Sequence, residues 1–153
     1  MKILVLSDSH YHNLEGLSLN SFDAICHCGD YGFSKNDLMA HHVHYVRGNC
    51  DLEGPKHLLF QIDSKKIWIT HGDLENVKYS LDRLVYKAQE LECDICLFGH
   101  THQSTCFLED GILFLNPGNY PNSYAVIQTM QYFYTKVQAL RNLSMSGENY
   151  EAK

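Results

Sequence analysis

Five short apolar runs in the chain each end in a loop that carries aspartate, asparagine or histidine. The runs cover residues 2–6, 22–27, 44–47, 67–70 and 94–98. An uninterrupted apolar run of this length is typical of a central strand that is covered on both faces. Because the carboxyl ends of parallel strands meet at one edge of an α/β sheet, the pattern predicts that the polar side chains converge there.

The side chains at these strand ends are all of types that bind metal ions. They are Asp8, His10, Asp30, Asn49, His71, His100 and His102. Gly99 precedes the last two and removes a side chain that would crowd a ligand. Carboxylate, imidazole and amide oxygen together suit Mn²⁺, Fe²⁺, Ni²⁺ or Zn²⁺. A set of this size exceeds the roughly four or five ligands that one zinc ion takes, so it predicts two ions.

The rest of the pattern predicts further strands and three helices. Helices are expected at residues 14–19 after a cap at Asn13, up to about residue 40 after a cap at Ser34, and at 80–92. Strands are expected at 58–62, 105–108, 112–116, 124–128 and 132–140. This order predicts an α/β fold with two sheets packed face to face and helices outside. We assign one domain to residues 1–141 and a loose polar tail to 142–153.

Charge and hydropathy limit the partners of the chain. It has 18 acidic and 12 basic residues, a net charge of −6, so we expect no dedicated nucleic-acid face. A phosphate substrate stays compatible, because bound divalent ions would reverse the local field. The first apolar run is too short for a signal peptide, and no stretch approaches the ~18 apolar residues of a membrane span. We therefore expect a cytoplasmic protein with no membrane partner; its aromatic-rich last strands could offer a homo-oligomer interface.

Two of the six cysteines form a C-x-x-C pair, Cys93 and Cys96, that could bind zinc or act in redox chemistry. There is no second such pair at zinc-site spacing. The pair also overlaps an apolar strand, whose alternate side chains point apart. We therefore interpret both residues as buried core thiols.

Five motifs stand in a fixed order along the chain. They are Asp8-x-His10, Gly29-Asp30, Gly48-Asn49-x-Asp51, His71-Gly72 and Gly99-His100-x-His102. In this order they resemble the calcineurin-like metallophosphoesterase superfamily. The short chain and a late Asn116-Pro117-Gly118 are similar to its small bacterial and archaeal phosphodiesterase branch. The resemblance covers about residues 1–118 and implies a four-layer α/β/β/α sandwich, with two mixed β-sheets and a dinuclear metal site.

The resemblance also implies how the ligands are divided. One ion would be held by Asp8, His10, Asp30 and His102. The other would be held by Asp30, Asn49, His71 and His100, with Asp30 bridging. Mn²⁺ is the first expectation, with Ni²⁺, Fe²⁺ and Zn²⁺ as alternatives. A hydroxide between the ions would attack the phosphorus of a small-molecule or nucleotide phosphodiester in line, with Asn49, His71 and His100 as catalytic residues.

Two positions depart from the superfamily pattern. Cys50 stands where many members have a histidine that is thought to protonate the leaving oxygen, although the small phosphodiesterase branch often lacks it as well. A thiol with an ordinary pKa of about 8.5 is a poor acid, so we expect better activity on aryl than on alkyl esters. Asp73 stands where another histidine is common, and we expect it to orient a ligand. Asp51 is expected to fix its loop or to orient a histidine ligand.

Several histidines and two other functions stay open. His12 could face the substrate or lie solvated in its loop, and His41, His42 and His44 are expected at the surface or an interface. The chain could be a phosphomonoesterase instead. It could also be a non-catalytic protein-binding scaffold, like the retromer subunit of the same superfamily.

Overall fold

The computed structural model describes residues 1–32, 35–129, 135–141 and 146–152, with side chains described up to residue 128. The strands and α-helices in these residues are, in chain order, β1 (Lys2–Leu6), β2 (Ala24–His27), α1 (Lys35–Ala40), β3 (His44–Tyr45), β4 (His57–Ile62), β5 (Lys65–Thr70), α2 (Asp82–Glu90), β6 (Ile95–Leu97), β7 (Thr105–Glu109), β8 (Ile112–Asn116), β9 (Ser123–Thr129), β10 (Thr135–Arg141) and β11 (Ser146–Ala152). Neither of these α-helices is long and apolar enough to cross a membrane.

The strands form two mixed sheets. The first has the strand order β11-β10-β9-β1-β2-β3, and the second has the order β4-β5-β6-β8-β7. In the first sheet β1, β2 and β3 run parallel, and in the second β5, β6 and β8 run parallel. The outer strands pair antiparallel with these parallel centres. The predicted α/β fold with two mixed sheets is confirmed.

Three apolar layers hold the sandwich together. Side chains of both sheets, such as Val5 and Ile69, fill the layer between the sheets. Leu38 of α1 packs on the outer face of the first sheet. Leu84 and Ala88 of α2 lie four residues apart, on one helix face, and pack on the outer face of the second sheet. Burial of each leucine side chain stabilises the fold by about 1.5–3 kcal/mol. The loops at the strand ends are therefore attached to well-packed strands.

The helix predicted at residues 14–19 is wrong. The Asn13 side chain accepts a backbone N–H two residues later (3.2 Å), which forms an Asx turn and not a helix cap. The N–H of Leu14 donates to the Asp37 carboxylate (3.1 Å), and a one-turn 3-10 helix forms only at Leu19–Ser21. Leu14 is nevertheless buried, so the apolar spacing reflected burial of an irregular segment.

The loose conformation predicted for residues 142–153 is wrong for 146–152. These residues form β11, which pairs antiparallel with β10. An edge strand depends on backbone hydrogen bonds more than on apolar side chains, so a polar segment can form one. Residues 142–145 and 153, the predicted cap Ser34 and the start of the strand predicted at 132–140 lie outside the described residues. The division of the chain at residue 141 stays a prediction.

Candidate metal centre

The seven candidate ligands lie together at one edge of the sandwich. From the first sheet, the loops after β1, β2 and β3 supply Asp8, His10, Asp30 and Asn49. From the second sheet, the loops after β5 and β6 supply His71, His100 and His102. The two sheets face each other, so the carboxyl ends of their parallel strands bring both sets of loops to one place.

Asp8 presents a buried oxygen that has no hydrogen-bond donor. Its Oδ2 accepts hydrogen bonds from Ser7 Oγ (2.6 Å) and from the His100 backbone N–H (3.1 Å). Its Oδ1 has no hydrogen-bond partner among the described residues. That oxygen lies 3.3 Å from His102 Nε2 and 3.9 Å from His10 Nε2. A cation between these atoms would satisfy the carboxylate and both imidazoles.

Asp30 lies between the two sides of the centre. Its Oδ2 is 3.3 Å from His71 Nε2 and 3.7 Å from His10 Nε2. Its Oδ1 accepts the backbone N–H of Cys50 (2.9 Å). Burial alone would raise the pKa of Asp30, but the hydrogen bond and charge of His71 and the Cys50 N–H lower it to about 2. The carboxylate is therefore held in its ionised form, as a metal ligand must be.

The ring of His71 is oriented by the backbone of the first sheet. Its Nδ1 lies 2.7 Å from the Cys28 carbonyl oxygen, which can only accept, so Nδ1 carries the proton. Its Nε2 therefore faces the centre, 2.9 Å from Asn49 Oδ1 and 3.2 Å from His100 Nδ1. Burial lowers the pKa of His71, but the hydrogen bond and charge of Asp30 outweigh burial and raise it. The centre thus attracts positive charge, a proton or a metal ion.

The donor atoms fit metal ions as sets. Among the described residues, three groups have donor atoms that all lie within 4.8 Å of one another: Asp8, His10 and His102; Asp8, Asp30 and His71; and His10, Asp30 and Cys50. The first group is part of one set that the resemblance implies, whereas the second combines Asp8 of that set with Asp30 and His71 of the other. Asp8 Oδ1 is 3.9 Å from His71 Nε2, so Asp8 as well as Asp30 lies near both groups. The donor set therefore fits divalent ions.

Five of the candidate ligands have strained backbones. The left-handed φ angles are 53° at Asp8, 40° at His10, 58° at Asp30, 71° at His100 and 62° at His102. Non-glycine residues adopt such angles rarely, at a cost of order 1–3 kcal/mol each. Because the five lie together at one edge, the surrounding packing must hold their backbones in these angles.

Two glycines let the strand ends approach each other. A side chain at Gly99 would overlap Ser7 Oγ and the Asp8 carboxylate. A side chain at Gly48 would overlap the Asp30 carboxylate. Only glycine can therefore occupy these positions while the candidate ligands keep their places.

Asp51 and Asn116 hold the loops from behind. Asp51 Oδ2 accepts the backbone N–H groups of Asp30 and Gly48 (both 2.7 Å), so the aspartate fixes the loop, one of its two expected roles. The Asn116 amide donates to the Gly99 carbonyl (3.1 Å) and to the side chain of Thr101 (2.9 Å). These bonds position the backbone on either side of His100.

A buried histidine behind the centre was missed by the sequence reasoning. His27 Nδ1 accepts the backbone N–H of Gly29 (3.1 Å), and its Nε2 lies 2.9 Å from Ser9 Oγ. The two contacts join the loops after β1 and β2. Burial, followed by the charge of His71, lowers the pKa of His27 to about 3, so the ring is neutral. The available signal was a histidine that ends an apolar run immediately before Cys28-Gly29-Asp30.

The two departures from the superfamily pattern lie beside the centre. Cys50 is exposed, with its sulfur within 4.8 Å of donor atoms of His10 and Asp30. Burial and the charge of Asp30 raise the pKa of the Cys50 thiol, so its sulfur keeps the proton at neutral pH. Asp73 lines a cavity next to Asn49. Its role in orienting a ligand stays a prediction.

The remaining histidines and cysteines fall outside the groups of potential ligands found in the described residues. His12 and His42 are exposed, and His44 stacks on Phe60 with ring centroids 4.1 Å apart. Cys93 and Cys96 are free and buried. Both pack in the layer under α2, although we expected them to point apart. Their interpretation as core thiols is confirmed.

The fold and the cluster of possible metal ligands are found together in a known superfamily, which comparison with known proteins identifies. The model of the calcineurin-like phosphoesterase superfamily domain matches residues 1–137, and the chain belongs to this superfamily. It is 34% identical over 126 residues to the probable metallophosphoesterase YsnB of Bacillus subtilis. That alignment covers 78% of this chain and 75% of YsnB.

Solved structures show the same fold. A protein of Streptococcus pneumoniae described as a predicted phosphoesterase superimposes with a TM-score of 0.84 and 31% identity, covering 98% of this chain and 97% of that one. Vps29 of Entamoeba histolytica, in a complex with Zn²⁺, superimposes with a TM-score of 0.81 and 21% identity, covering 99% and 98%. At that identity, the likeness to Vps29 shows the fold alone.

Proposed function

We propose that the chain is a phosphodiesterase with a dinuclear metal centre at this edge. The observation that carries the proposal is the buried Asp8 Oδ1, which faces imidazole nitrogens and has no donor among the described residues. An unsatisfied buried polar group lowers the stability of the fold by about 1–3 kcal/mol, and by more when it is charged. A cation bound to this oxygen would remove that cost. Superfamily membership supports hydrolysis of phosphoric esters as the reaction.

The ligands are proposed to form two sets that share Asp30. Asp8, His10, Asp30 and His102 would hold one ion, and Asp30, Asn49, His71 and His100 the other. The short contacts of His71 Nε2 with Asn49 and His100 support the second set. Mn²⁺ is the proposed ion, with Ni²⁺, Fe²⁺ or Zn²⁺ as alternatives. When bound, the ions would supply the nucleophile and neutralise charge that develops on the phosphoryl oxygens.

The chain itself contributes orientation and a weak acid. The Cys28 carbonyl holds the His71 ring so that Nε2 faces the substrate side. Asn49 is exposed, where its amide could contact a phosphate oxygen. The protonated Cys50 thiol is the group nearest to a proton donor at the superfamily's histidine position. Esters with aryl leaving groups, which depart without a proton, should therefore react fastest.

Metal content measured together with turnover tests the proposal. Protein purified without oxygen should contain about two transition-metal ions per chain and should cleave bis-p-nitrophenyl phosphate with Mn²⁺. Removing the metal with a chelator should abolish turnover, and adding Mn²⁺ back should restore it. A folded protein that retains no transition metal and is inactive with Mn²⁺ or Ni²⁺ would contradict the enzyme hypothesis.

Specificity for diesters needs its own comparison. The kcat/KM for bis-p-nitrophenyl phosphate should exceed that for p-nitrophenyl phosphate, measured with the same metal. The reverse order would make the chain a phosphomonoesterase with the same centre.

A protein-binding scaffold is the second candidate, and the fold shared with Vps29 is compatible with it. That Vps29 was crystallised with Zn²⁺, so metal binding alone does not separate the two functions. Turnover does, because a scaffold would bind metal and leave both aryl phosphates intact. The presence of all seven candidate ligands favours the enzyme.

Replacing Cys50 tests the position of the acid. Cys50→His should raise kcat on a dinucleotide, whose leaving group is an alkoxide, by roughly the hundredfold that a positioned general acid contributes. Turnover of bis-p-nitrophenyl phosphate should change little, because its leaving group needs no proton. Cys50→Ser is the matched control and should show no gain. An unchanged rate on the dinucleotide in Cys50→His would place the leaving oxygen elsewhere.

A further inference from the structure

A cavity of about 330 Å³ adjoins the candidate metal centre. Asn49 forms part of its wall, and Asp73, two residues after His71, forms another part. A group in the cavity would therefore neighbour a phosphate held at the centre. The volume is near the lower end of the ~300–1,000 Å³ typical of ligand pockets, which suits one nucleotide better than a polymer.

Two cationic side chains line the cavity, Arg47 and Lys56. Neither forms an ion pair with a carboxylate in the part of the chain that the structure describes, whereas Lys35 and Lys87 each pair with a glutamate. Two uncommitted cations in a concave wall attract an anion, and an arginine fork matches two phosphate oxygens at once.

One of the two acidic side chains that line the cavity, Asp51, is already engaged. The Asp51 carboxylate accepts three backbone N–H groups at 2.7, 2.7 and 3.2 Å, two from the loop after β2 and one from its own loop, so these donors compensate its charge. Asp73 also lines the cavity, and among the described residues it forms no ion pair with Arg47 or Lys56. The two cations thus remain available to a ligand.

The rim of the cavity is apolar and its wall is preformed. Leu52 is 92% exposed and Leu74 is 49% exposed, and both line the cavity. The loop that carries Leu52 is anchored at two points: the Arg47 N–H donates to the Pro55 carbonyl (2.7 Å), and the Tyr31 hydroxyl donates to the Glu53 carbonyl (2.6 Å). A fixed loop with an exposed leucine offers an apolar surface to a ring.

We propose that this cavity binds the nucleoside and a second phosphate of the substrate. The substrate class is a nucleoside phosphodiester that carries an additional phosphate beyond the scissile bond. Arg47 and Lys56 would contact the additional phosphate, and Leu52 and Leu74 would contact the nucleoside. The inference rests on the proposed phosphodiesterase function, because it places the scissile phosphate at the metal centre.

A matched pair of substrates tests the assignment. One is the p-nitrophenyl ester of thymidine 5′-phosphate, and the other is the same ester with a phosphate on the 3′ oxygen. The scissile bond and leaving group are identical, so the kcat/KM ratio reports the additional phosphate. The wild-type protein should prefer the bisphosphate by about tenfold or more, mainly through KM, because charge-assisted contacts are worth ~1.5–3 kcal/mol.

Variants assign the preference to named side chains. Lys56→Gln should lower the preference about fivefold, the upper end for an exposed charge contact, and Arg47→Gln should lower it at least as much. Both should lower kcat/KM for the ester without the 3′-phosphate by a smaller factor, because that ester is also an anion but lacks the phosphate they contact, so the ratio of the two values is the readout. Lys87→Gln removes a lysine on α2 and should change neither value. Leu52→Ser should raise KM for both thymidine esters by the same factor and leave their ratio unchanged.

A binding measurement that needs no turnover tests the cavity assignment separately from the phosphodiesterase function. Thymidine 3′,5′-bisphosphate should bind the metal-loaded wild-type protein in calorimetry, about fivefold more weakly in Lys56→Gln. If neither ester is hydrolysed and this binding difference holds, the phosphodiesterase function fails while the anion site stands. If both esters are hydrolysed with equal kcat/KM, or Lys56→Gln and Lys87→Gln behave alike, the cavity assignment is overturned and the phosphodiesterase function stands.

Discussion

The strand-end edge of the sandwich and its interior are built in opposite ways. In the interior, apolar side chains are buried against each other; Phe114 is fully buried and stacks on Phe107 with ring centroids 4.8 Å apart. At the edge, carboxylates and imidazoles are crowded on left-handed backbones, and one buried oxygen of Asp8 has no donor in the described structure. The interior stabilises the fold, whereas the edge costs stability until a cation is bound.

The largest expected effect follows from removing the carboxylate that we propose both ions share, Asp30. Asp30→Asn should lose both metal ions and at least about a thousandfold in kcat/KM, beyond the ten- to hundredfold typical of outer partners of a metal site. An amide in place of the carboxylate still accepts from the Cys50 N–H, so the fold should persist. Elemental analysis, kinetics and circular dichroism measure these three quantities.

Asp82→Asn is the matched control, because it makes the same change at an exposed position in the first turn of α2. It should keep metal content and activity. Retention of two ions by Asp30→Asn would show that Asp30 does not bridge, and it would turn attention to Asp8, which also lies near both ligand groups.

A substitution in the interior should lower stability and leave metal binding intact, the converse of Asp30→Asn. Phe114→Ala removes a fully buried ring and should lower the free energy of unfolding by about 3–5 kcal/mol. The folded protein should still bind the wild-type number of metal ions, because no candidate ligand is altered. Urea unfolding and elemental analysis on the same preparation check both results. A loss of metal from the folded fraction of Phe114→Ala would show that metal binding at the edge depends on packing of the interior.

His27 lies where the two regions meet, and it should link stability to pH. Its pKa is about 3 in the folded protein, below the ordinary 6.5, through burial and then the charge of His71, partly offset by Asp30. The unfolded chain therefore binds a proton that the folded chain excludes as pH falls below 6.5. The stability from this residue is complete above that pH and is lost by about 1.4 kcal/mol per pH unit down to about 3.

His27→Asn tests this linkage. The amide oxygen can still accept the Gly29 N–H, although the ring packing is lost, so the variant should be less stable at pH 7. Between pH 6 and 4 in chelator, the free energy of unfolding of the variant should fall less steeply than that of the wild type. The difference between the two slopes should be about 1.4 kcal/mol per pH unit. Parallel curves for the two proteins would mean that His27 does not exclude the proton.

The sequence predicted those parts of the molecule that depend on local pattern. Apolar runs indicated the parallel strands, and the residues after them indicated the candidate ligands that lie together, because strand direction alone brings such loops together. The bond from His71 to the Cys28 carbonyl joins positions 43 residues apart, so no local pattern reports it. The segment 14–19 was misread because burial of Leu14 in an irregular loop has the same spacing as a helix face.

The smallest expected effect is a gain in stability at the edge. In Asp8→Asn, the amide oxygen can replace Oδ2 as acceptor for Ser7 and the His100 N–H, which directs the amide nitrogen toward His102 Nε2, 3.3 Å from the present Oδ1. The lone acceptor becomes a donor to an imidazole, and asparagine tolerates the φ of 53°. In chelator, the variant should be more stable than the wild type by about 1 kcal/mol in urea unfolding. With Mn²⁺ the order of the two stabilities should reverse, because only the wild type gains metal-binding free energy.

A metal-free Asp8→Asn protein that is less stable than the wild type would contradict this account. It would mean that the unpaired Asp8 oxygen does not lower the stability of the metal-free protein.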